Sequence, residues 1–359
     1  MSIIVGLSGG VDSSVAAALL REAGHEVVGV TLRTTAWAEP VDAAARFGSC
    51  CSAETAGAAR QVARRLAIPY YVLNHEREFA ERVIADFVDE YAAGRTPSPC
   101  VVCNREVKFG TLLQGALAWD AEAVATGHYA RIAPDPRTGR TLLLTARDLA
   151  KDQSYFLWPL TQAQLARARF PVGGLTKPEV RAYARARGLA TAATPESQEL
   201  CFVSGDYREF LRARAPGAFR AGPIVDDGGR EIGQHAGLGG YTVGQRRGLG
   251  RLGPGATYVV RLDPVRNTVV VGPREALRAT RLVAEQVNLI GLAALEAPLD
   301  VEVRVRHRAP RVPARVRPDG GGRIAVDLRA PQYAVTPGQS VVLYQGERVL
   351  GGGVIAHAA

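Results

Sequence analysis

No stretch of the 359 residues approaches the ~20 consecutive apolar positions that a membrane span requires. The start does not read as a secretory leader either: Ser2-Ile3-Ile4-Val5-Gly6-Leu7 lacks a basic n-region, and its apolar run is short. Cysteine is scarce, five residues without regular spacing, and an odd count argues against a secreted disulfide scaffold. A reducing cytoplasm is therefore expected, where paired cysteines suggest chemistry or metal. Internal repeats are missing, and no disordered tail is evident. Acidic residues are in deficit, 35 Asp+Glu against 44 Lys+Arg, for a formal charge of +9. That balance favours a polyanionic partner through counterion release. A genome rich in arginine and alanine codons would produce it too, so charge alone leaves nucleic-acid binding open.

What is present suffices for real cores: 47% of residues are hydrophobic and 22% charged. The length implies two or three domains of ~100–200 residues. The first part alternates strand and helix signals. Ile3–Leu7, Glu26–Leu32, Tyr70–Leu73 and Ala123–Thr126 read as strands. Ser13–Glu22, Ala53–Leu66, Phe79–Ala93 and Val107–Trp119 read as helices. This rhythm predicts a doubly wound, mostly parallel α/β sheet of Rossmann-like type. Ligands in such sheets bind beyond the carboxyl ends of the strands, where Gly6–Ser14, Leu32–Thr35 and Gly127–Tyr129 should converge. After Cys201 the texture changes. Ser204–Ala218 is basic, Gly222–Gly255 is rich in glycine, and short alternating strands follow from about Thr280. Gln339–Ile355 reads as a hairpin turning at Gly346. The expected division is an α/β domain at 1–203, a small α+β central domain at 204–279 and a C-terminal β-barrel at 280–359. The loops around Pro97 and Gly222–Gly255 are expected to order only on binding.

"GLSGGVDSS", Gly6 to Ser14, follows a strand and opens a helix. Adjacent glycines admit an anion close to the backbone, serines donate hydrogen bonds, and the helix N-terminus adds a favourable dipole. The loop lacks the Gly-Lys-Ser/Thr ending of a Walker A motif and the Gly-x-Gly-x-x-Gly of dinucleotide folds. Asp12 sits where a carboxylate could hold a magnesium ion on the phosphates. The plainer alternative is a glycine turn with Ser or Asp as helix cap. Further along, "GRTPSPCVVCNREVKFG" (Gly94–Gly110) puts Cys100 and Cys103 three apart, and Leu200-Cys201-Phe202 sets a third cysteine between apolar neighbours. A cysteine in that setting is more often a buried small hydrophobe than a reactive group. Cys50-Cys51 reads as structural, since vicinal cysteines bridge poorly.

Ser8-Gly9-Gly10-Val11-Asp12-Ser13 resembles the pyrophosphate loop of the N-type ATP pyrophosphatases. "GRTPSPCVVCNREVKFG", "ATGHYAR" (Ala125–Arg131), "KDQSYFL" (Lys151–Leu157) and "SQELCFV" (Ser197–Val203), in that order, resemble one member family, the tRNA-specific 2-thiouridylases. "GQRRGLG" (Gly244–Gly250) and "PGQSVVLY" (Pro337–Tyr344) extend the resemblance over nearly the whole chain. It implies an ATP-dependent, AMP-forming enzyme that replaces the 2-oxygen of wobble uridine 34 in tRNA by sulfur. Adenylation would make that oxygen a leaving group, and a thiolate carrier would deliver sulfur. Arg105 and Lys108 would stabilise the Cys103 thiolate.

The resemblance implies Cys103 as nucleophile and Cys201 as persulfide carrier, with a Cys103–Cys201 disulfide left after sulfur release. It implies ATP contacts from Gly6, Leu7, Ser8, Gly9, Gly10, Val11, Asp12, Ser13, Ser14, Leu32 and Gly127. It implies tRNA contacts from His128, Lys151, Asp152, Gln153, Arg306, His307 and Gln339. On the residues alone His128 could be a core histidine, but its Thr-Gly-His-Tyr context at a strand end favours a site near nucleotide or RNA, while Lys151-Asp152-Gln153 reads as a solvated face. The implied partners are tRNA and a cysteine desulfurase or sulfur-relay protein, the chain itself being a monomer; ATP and magnesium are the implied cofactors.

One position departs from the family, which commonly carries Asp where this chain has Cys100. A thiol cannot do a carboxylate's acid–base work at the same pKa. Cys100, Cys103 and Cys201 could instead supply three ligands to a [4Fe–4S] cluster with an open fourth site, as in some related tRNA thiolases. Two rivals differ in class: a synthetase or amidotransferase acting on a small metabolite, and a basic RNA-binding module with a vestigial nucleotide fold. Neither has a use for the distant cysteines.

Overall fold

The computed structural model of the protein describes residues 2–36, 53–195, 200–203, 205–249 and 255–359. Cys50, Cys51, Ser197–Glu199 and Gly250 lie outside them. The chain divides into two compact units: Met1–Val83, Cys100–Gly205 and Glu347–Val349 form one, and Ile84–Pro99, Asp206–Gly346 and Leu350–Ala359 the other.

In the first unit β1 (Ser2–Gly6) leads to α1 (Val11–Glu22), β2 (Glu26–Arg33), α2 (Ala53–Leu66) and β3 (Tyr70–Asn74). The chain then returns to β4 (Ala123–Ala125), forms a hairpin of β5 (Ala130–Pro134) and β6 (Thr141–Thr145), and adds β7 (Ala168–Arg169). The sheet order is β3-β2-β1-β4-β7, with every pairing parallel. Ile3, Ile4 and Val5 are buried on both faces of β1, the signature of a strand covered by helices on two sides. Burying side chains of this size stabilises by roughly 1.5–3 kcal/mol each. The alanines of α1 (Ala16, Ala17, Ala18) are also buried, and their small size lets the helix lie close on the sheet. Because the chain runs outward from β1 through β2 to β3 and then resumes at β4 on β1's other side, the strand order reverses between β1 and β4. The crevice beyond that reversal is where an open α/β sheet takes its ligand.

The second unit holds two β assemblies. A four-stranded sheet orders β10 (Tyr258–Asp263), β11 (Thr268–Gly272), β8 (Gly222–Val225) and β9 (Glu231–His235). A helix, Tyr207–Arg214, precedes it, capped by Asp206. Within the glycine-rich Gly222–Gly255 stretch the described residues form β8, β9 and the helical turn Leu238–Gly240. The second assembly runs β12 (Arg278–Asn288), β15 (Ile324–Tyr333), β14 (Val312–Pro318), β13 (Leu299–Arg304), β16 (Ser340–Gln345) and β17 (Arg348–Ala358), and β12 pairs again with β17 to close a barrel. Its alternating inward residues, Val301, Val303, Ala314, Val316, Val326 and Leu343 among them, fill one core. Gly346 turns the β16–β17 hairpin at φ +57°.

Candidate active site

The loop Gly6–Ser14 emerges from β1 at the reversal point. Gly10 caps α1 in an extended conformation, and its carbonyl accepts from the Ser13 and Ser14 hydroxyls at 3.1 and 2.8 Å. The Ser8 amide donates to Ser13 Oγ at 3.2 Å, and the two hydroxyls lie 3.3 Å apart. Ser8, Gly9, Gly10 and Ser13 therefore present hydroxyls and amides around the start of α1, a frame suited to phosphate oxygens. Leu7, Val11, Ser13 and Ser14 are buried and the Ser13 hydroxyl is engaged within the loop, so the accessible phosphate donors are the Ser8 hydroxyl and backbone amides. Leu32 is half-buried near the end of β2, with Thr31 Oγ1 donating to the Leu7 carbonyl at 2.6 Å.

Gly127 follows β4 across the crevice. A Cβ there would lie 2.5 Å from the Ser13 nitrogen and 2.7 Å from the Asp12 carbonyl carbon, so only glycine permits this approach. Two residues on, the Tyr129 hydroxyl donates to Asp12 Oδ1 at 2.8 Å. Lys177, at the start of the helix Lys177–Ala186, places Nζ 2.8 Å from both Asp12 oxygens. The Lys177 side chain is only 10% exposed and that of Asp12 29% exposed, so the pair is partly withdrawn from water. Sequence reasoning missed Lys177 altogether. The capped "TKPE" helix start was its one legible signal, and nothing in it pointed 165 residues back.

Cys100 and Cys103 do not sit in a loop ahead of a helix. Pro99–Cys103 is helical, Asn104–Thr111 continues as π-helix, and Leu112–Ala118 completes the element, so the helix begins eight residues before the expected Val107. A π-helix leaves carbonyls displaced from their α partners and recurs at functional sites. Here Gln164 Nε2 donates to the Arg105 and Phe109 carbonyls at 3.1 and 2.7 Å, and Asn104 Nδ2 to the Phe156 carbonyl at 3.1 Å. Cys100 is exposed; Cys103 and Cys201 are half-buried. Arg105 Nε is paired with Glu106 at 2.7 Å, which offsets part of the positive field expected at Cys103. Beside Cys201, the Phe202 ring packs edge-on against Phe79 at 5.6 Å.

Several residues expected to face tRNA are engaged inside the protein. Asp152 is buried, accepting from the Ala146 and Ser154 amides and the Ser154 hydroxyl, and this pins a turn rather than greeting a polyanion. Gln153 Oε1 accepts from the Tyr129 amide at 2.9 Å. Gln339 Nε2 donates to the Thr96 and Pro97 carbonyls at 3.0 and 3.2 Å, holding the segment that leads into the cysteine helix. His128 is the core histidine of the two alternatives. It is buried between Phe109 and Phe170, with Nδ1 2.7 Å from Thr126 Oγ1. Burial, and then the nearby Lys108 charge, hold its pKa well below the usual histidine value. Lys151 is half-buried, while Arg306 is exposed and His307 half-buried in the turn after β13.

Among the described residues, no group of three or more His, Cys, Asp or Glu is placed to hold a metal ion. Cys100, Cys103 and Cys201 therefore do not fit the three-thiolate set that a [4Fe–4S] cluster needs. Asp12, with both oxygens on Lys177, would have to exchange that cation to serve magnesium.

Residues 1–205 match the family described as tRNA methyl transferase HUP domain, 208–273 the tRNA methyl transferase PRC-barrel domain, and 279–355 the aminomethyltransferase beta-barrel domain. A tRNA-specific 2-thiouridylase MnmA of Roseiflexus castenholzii is 52% identical over 369 residues, covering 99% of each chain. The protein of the same name from Chloroflexus aggregans is 51% identical, covering 99% of this chain and 98% of its own. That of Heliobacterium modesticaldum is 49% identical, covering 99% and 92%. No helix among the described residues is long and apolar enough to cross a membrane.

Proposed function

The chain belongs to the tRNA-specific 2-thiouridylase family, and from that premise we propose that it converts wobble uridine 34 of tRNA to 2-thiouridine. The observation that carries this reading is identity near one-half over 99% of the chain with relatives of that name. The methyl-transfer wording of the domain families describes a different chemistry, and the full-length relatives weigh more.

In the proposed reaction the uridine C2 oxygen attacks the α-phosphorus of ATP and pyrophosphate leaves. Ser8, Gly9, Gly10 and Ser13 receive the departing phosphates at the start of α1, Leu32 and Gly127 border the adenosine, and Lys177 supplies a cation at the loop. The Cys103 thiolate attacks the Cys201 sulfur of a persulfide, breaking the S–S bond and releasing hydrosulfide. Hydrosulfide adds to C2 and expels AMP, and the Cys103–Cys201 disulfide left behind needs a thiol reductant to reopen. Cys100, exposed two residues into the helix, takes the place of the family's aspartate and offers a thiol instead of a carboxylate. Lys151, Arg306 and His307 are the proposed tRNA contacts, together with the half-buried Gln153 and Gln339. No step is routed through an iron–sulfur cluster.

The division at 1–203, 204–279 and 280–359 assigns adenylation and thiolation to the first part and RNA binding to the others. A cysteine desulfurase or relay protein would load Cys201, in a cytoplasmic monomer. The roles are tested with Cys201→Ser, tRNA and ATP labelled at the α-phosphate. Labelled AMP should accumulate on tRNA while 2-thiouridine disappears. Loss of adenylation in a folded variant would place Cys201 in the first half-reaction and overturn the assignment.

A further inference from the structure

A cavity of ≈ 310 Å³ opens in the second unit, and neither the reaction above nor the family motifs give it a task. Arg208, Arg212 and Arg247 line it together with the Phe219 and Tyr241 rings and Gln245. No Asp or Glu among the described residues lines it. Gln245 and Arg247 come from "GQRRGLG", a motif of the sequence that the reaction leaves unused. The aromatic wall is built in. Gly237, at φ +126°, lies so close to Phe219 that a Cβ would stand 2.1 Å from the Phe219 Cα. The Arg212 guanidinium lies 4.9 Å above the Phe219 ring, so the cation covers one face of that ring and is held at the cavity by it.

The polar groups divide by task. Arg208 Nε is tied to the Gly240 carbonyl at 3.1 Å and its Nη1 faces Asp206 at 3.4 Å, so it is oriented and partly neutralised. Gln245 accepts from the Thr242 amide at 3.2 Å and donates to the Arg247 carbonyl at 2.8 Å, so its amide shapes the turn that presents Arg247. Arg212 and Arg247 are exposed and carry the positive charge at the opening. Guanidinium groups match phosphate oxygens in a fork geometry, and aromatic rings stack on bases of any identity. Gln245 spends one acceptor and one donor on that turn, so the sequence tolerance of the cavity rests on stacking against its aromatic rings.

We propose that this cavity is a sequence-tolerant subsite for one nucleotide of the tRNA substrate, its phosphate on Arg212 and Arg247 and its base against Phe219 and Tyr241. The inference rests on the reading that the substrate is tRNA. Phosphate contacts of this kind position an RNA rather than specify it.

The test compares Arg212→Gln/Arg247→Gln with a control of equal charge, Arg220→Gln/Arg266→Gln, two exposed arginines outside the cavity. Binding of tRNA is measured at several salt concentrations, with thiolation of the same tRNA. The cavity pair should weaken tRNA binding by about tenfold and flatten the salt slope by about 1–2. Its KM for tRNA should rise with little change in kcat, and the control pair should do markedly less. Equal losses in both pairs, or none in the cavity pair, overturn the subsite. If uridine monophosphate binds the wild type, is lost in the cavity pair, and tRNA affinity is unchanged, the cavity takes free nucleotide and the proposal is wrong. A wild-type protein that neither binds nor thiolates tRNA would instead overturn the functional reading on which the subsite rests.

Discussion

Asp12 was legible as a loop residue from "GGVDSS", but Lys177 was not, because a contact 165 residues away has no local signature. His128 shows the converse. Its Thr-Gly-His-Tyr setting at a strand end suggested a surface role, and packing against Phe109 and Phe170 took it inside. That burial has a measurable consequence. The folded protein holds His128 neutral, whereas the unfolded chain protonates it near 6.5, so the unfolded state gains a proton first as pH falls. The stability contribution is therefore present above about pH 6.5 and lost below it, with a slope of up to about 1.4 kcal/mol per pH unit. His75 and His235, also lowered by burial, act in the same direction. In urea unfolding at pH 7.5 and 5.5, His128→Gln should lose less stability between the two than wild type does. Equal losses would mean that the histidine is already protonated in the fold.

At the scale of the element, the helix around Cys103 is the instructive case. Pro97 and Pro99 made the approach look like a loop, yet proline is tolerated in the first helical turn because its missing N–H would have no partner there. The π segment was not readable at all. It is held by Gln164, from a helix 55 to 59 residues away in sequence, donating to two carbonyls of Asn104–Thr111. Gln164→Ala removes both donors and leaves those carbonyls to find new partners. A loss of about 1–3 kcal/mol is expected. Thiolation should fall further than tRNA adenylation, because the disturbed segment begins next to Cys103. Unfolding curves and the two half-reactions, measured on one preparation, check this; equal losses in both half-reactions would separate the π segment from sulfur transfer. The parallel strands, by contrast, were legible because β1, β2 and β4 are short apolar runs bounded by turn residues. The β5–β6 hairpin went unread, since "ARIAP" and "TLLLT" carry no tight-turn pair between them.

At the scale of the whole molecule, the excess of basic residues, the nucleotide loop at the strand reversal and the three described cysteines belong to one chain that matches its relatives end to end. The α/β sheet and the closed barrel were both foreseeable from periodicity, the first from buried runs and the second from alternation. The folded state of Gly222–Leu249 was not, because its core is a handful of residues such as Ile224, Leu238 and Leu249 scattered among glycines. In this enzyme ATP cleavage should be coupled to sulfur entry into tRNA. That coupling is tested most directly by following pyrophosphate release with and without tRNA and then analysing the tRNA nucleosides. Pyrophosphate should appear only with tRNA, in step with 2-thiouridine when a persulfide donor is supplied. Pyrophosphate release that ignores tRNA, with no thionucleoside formed, would contradict the account and favour a synthetase acting on a small metabolite.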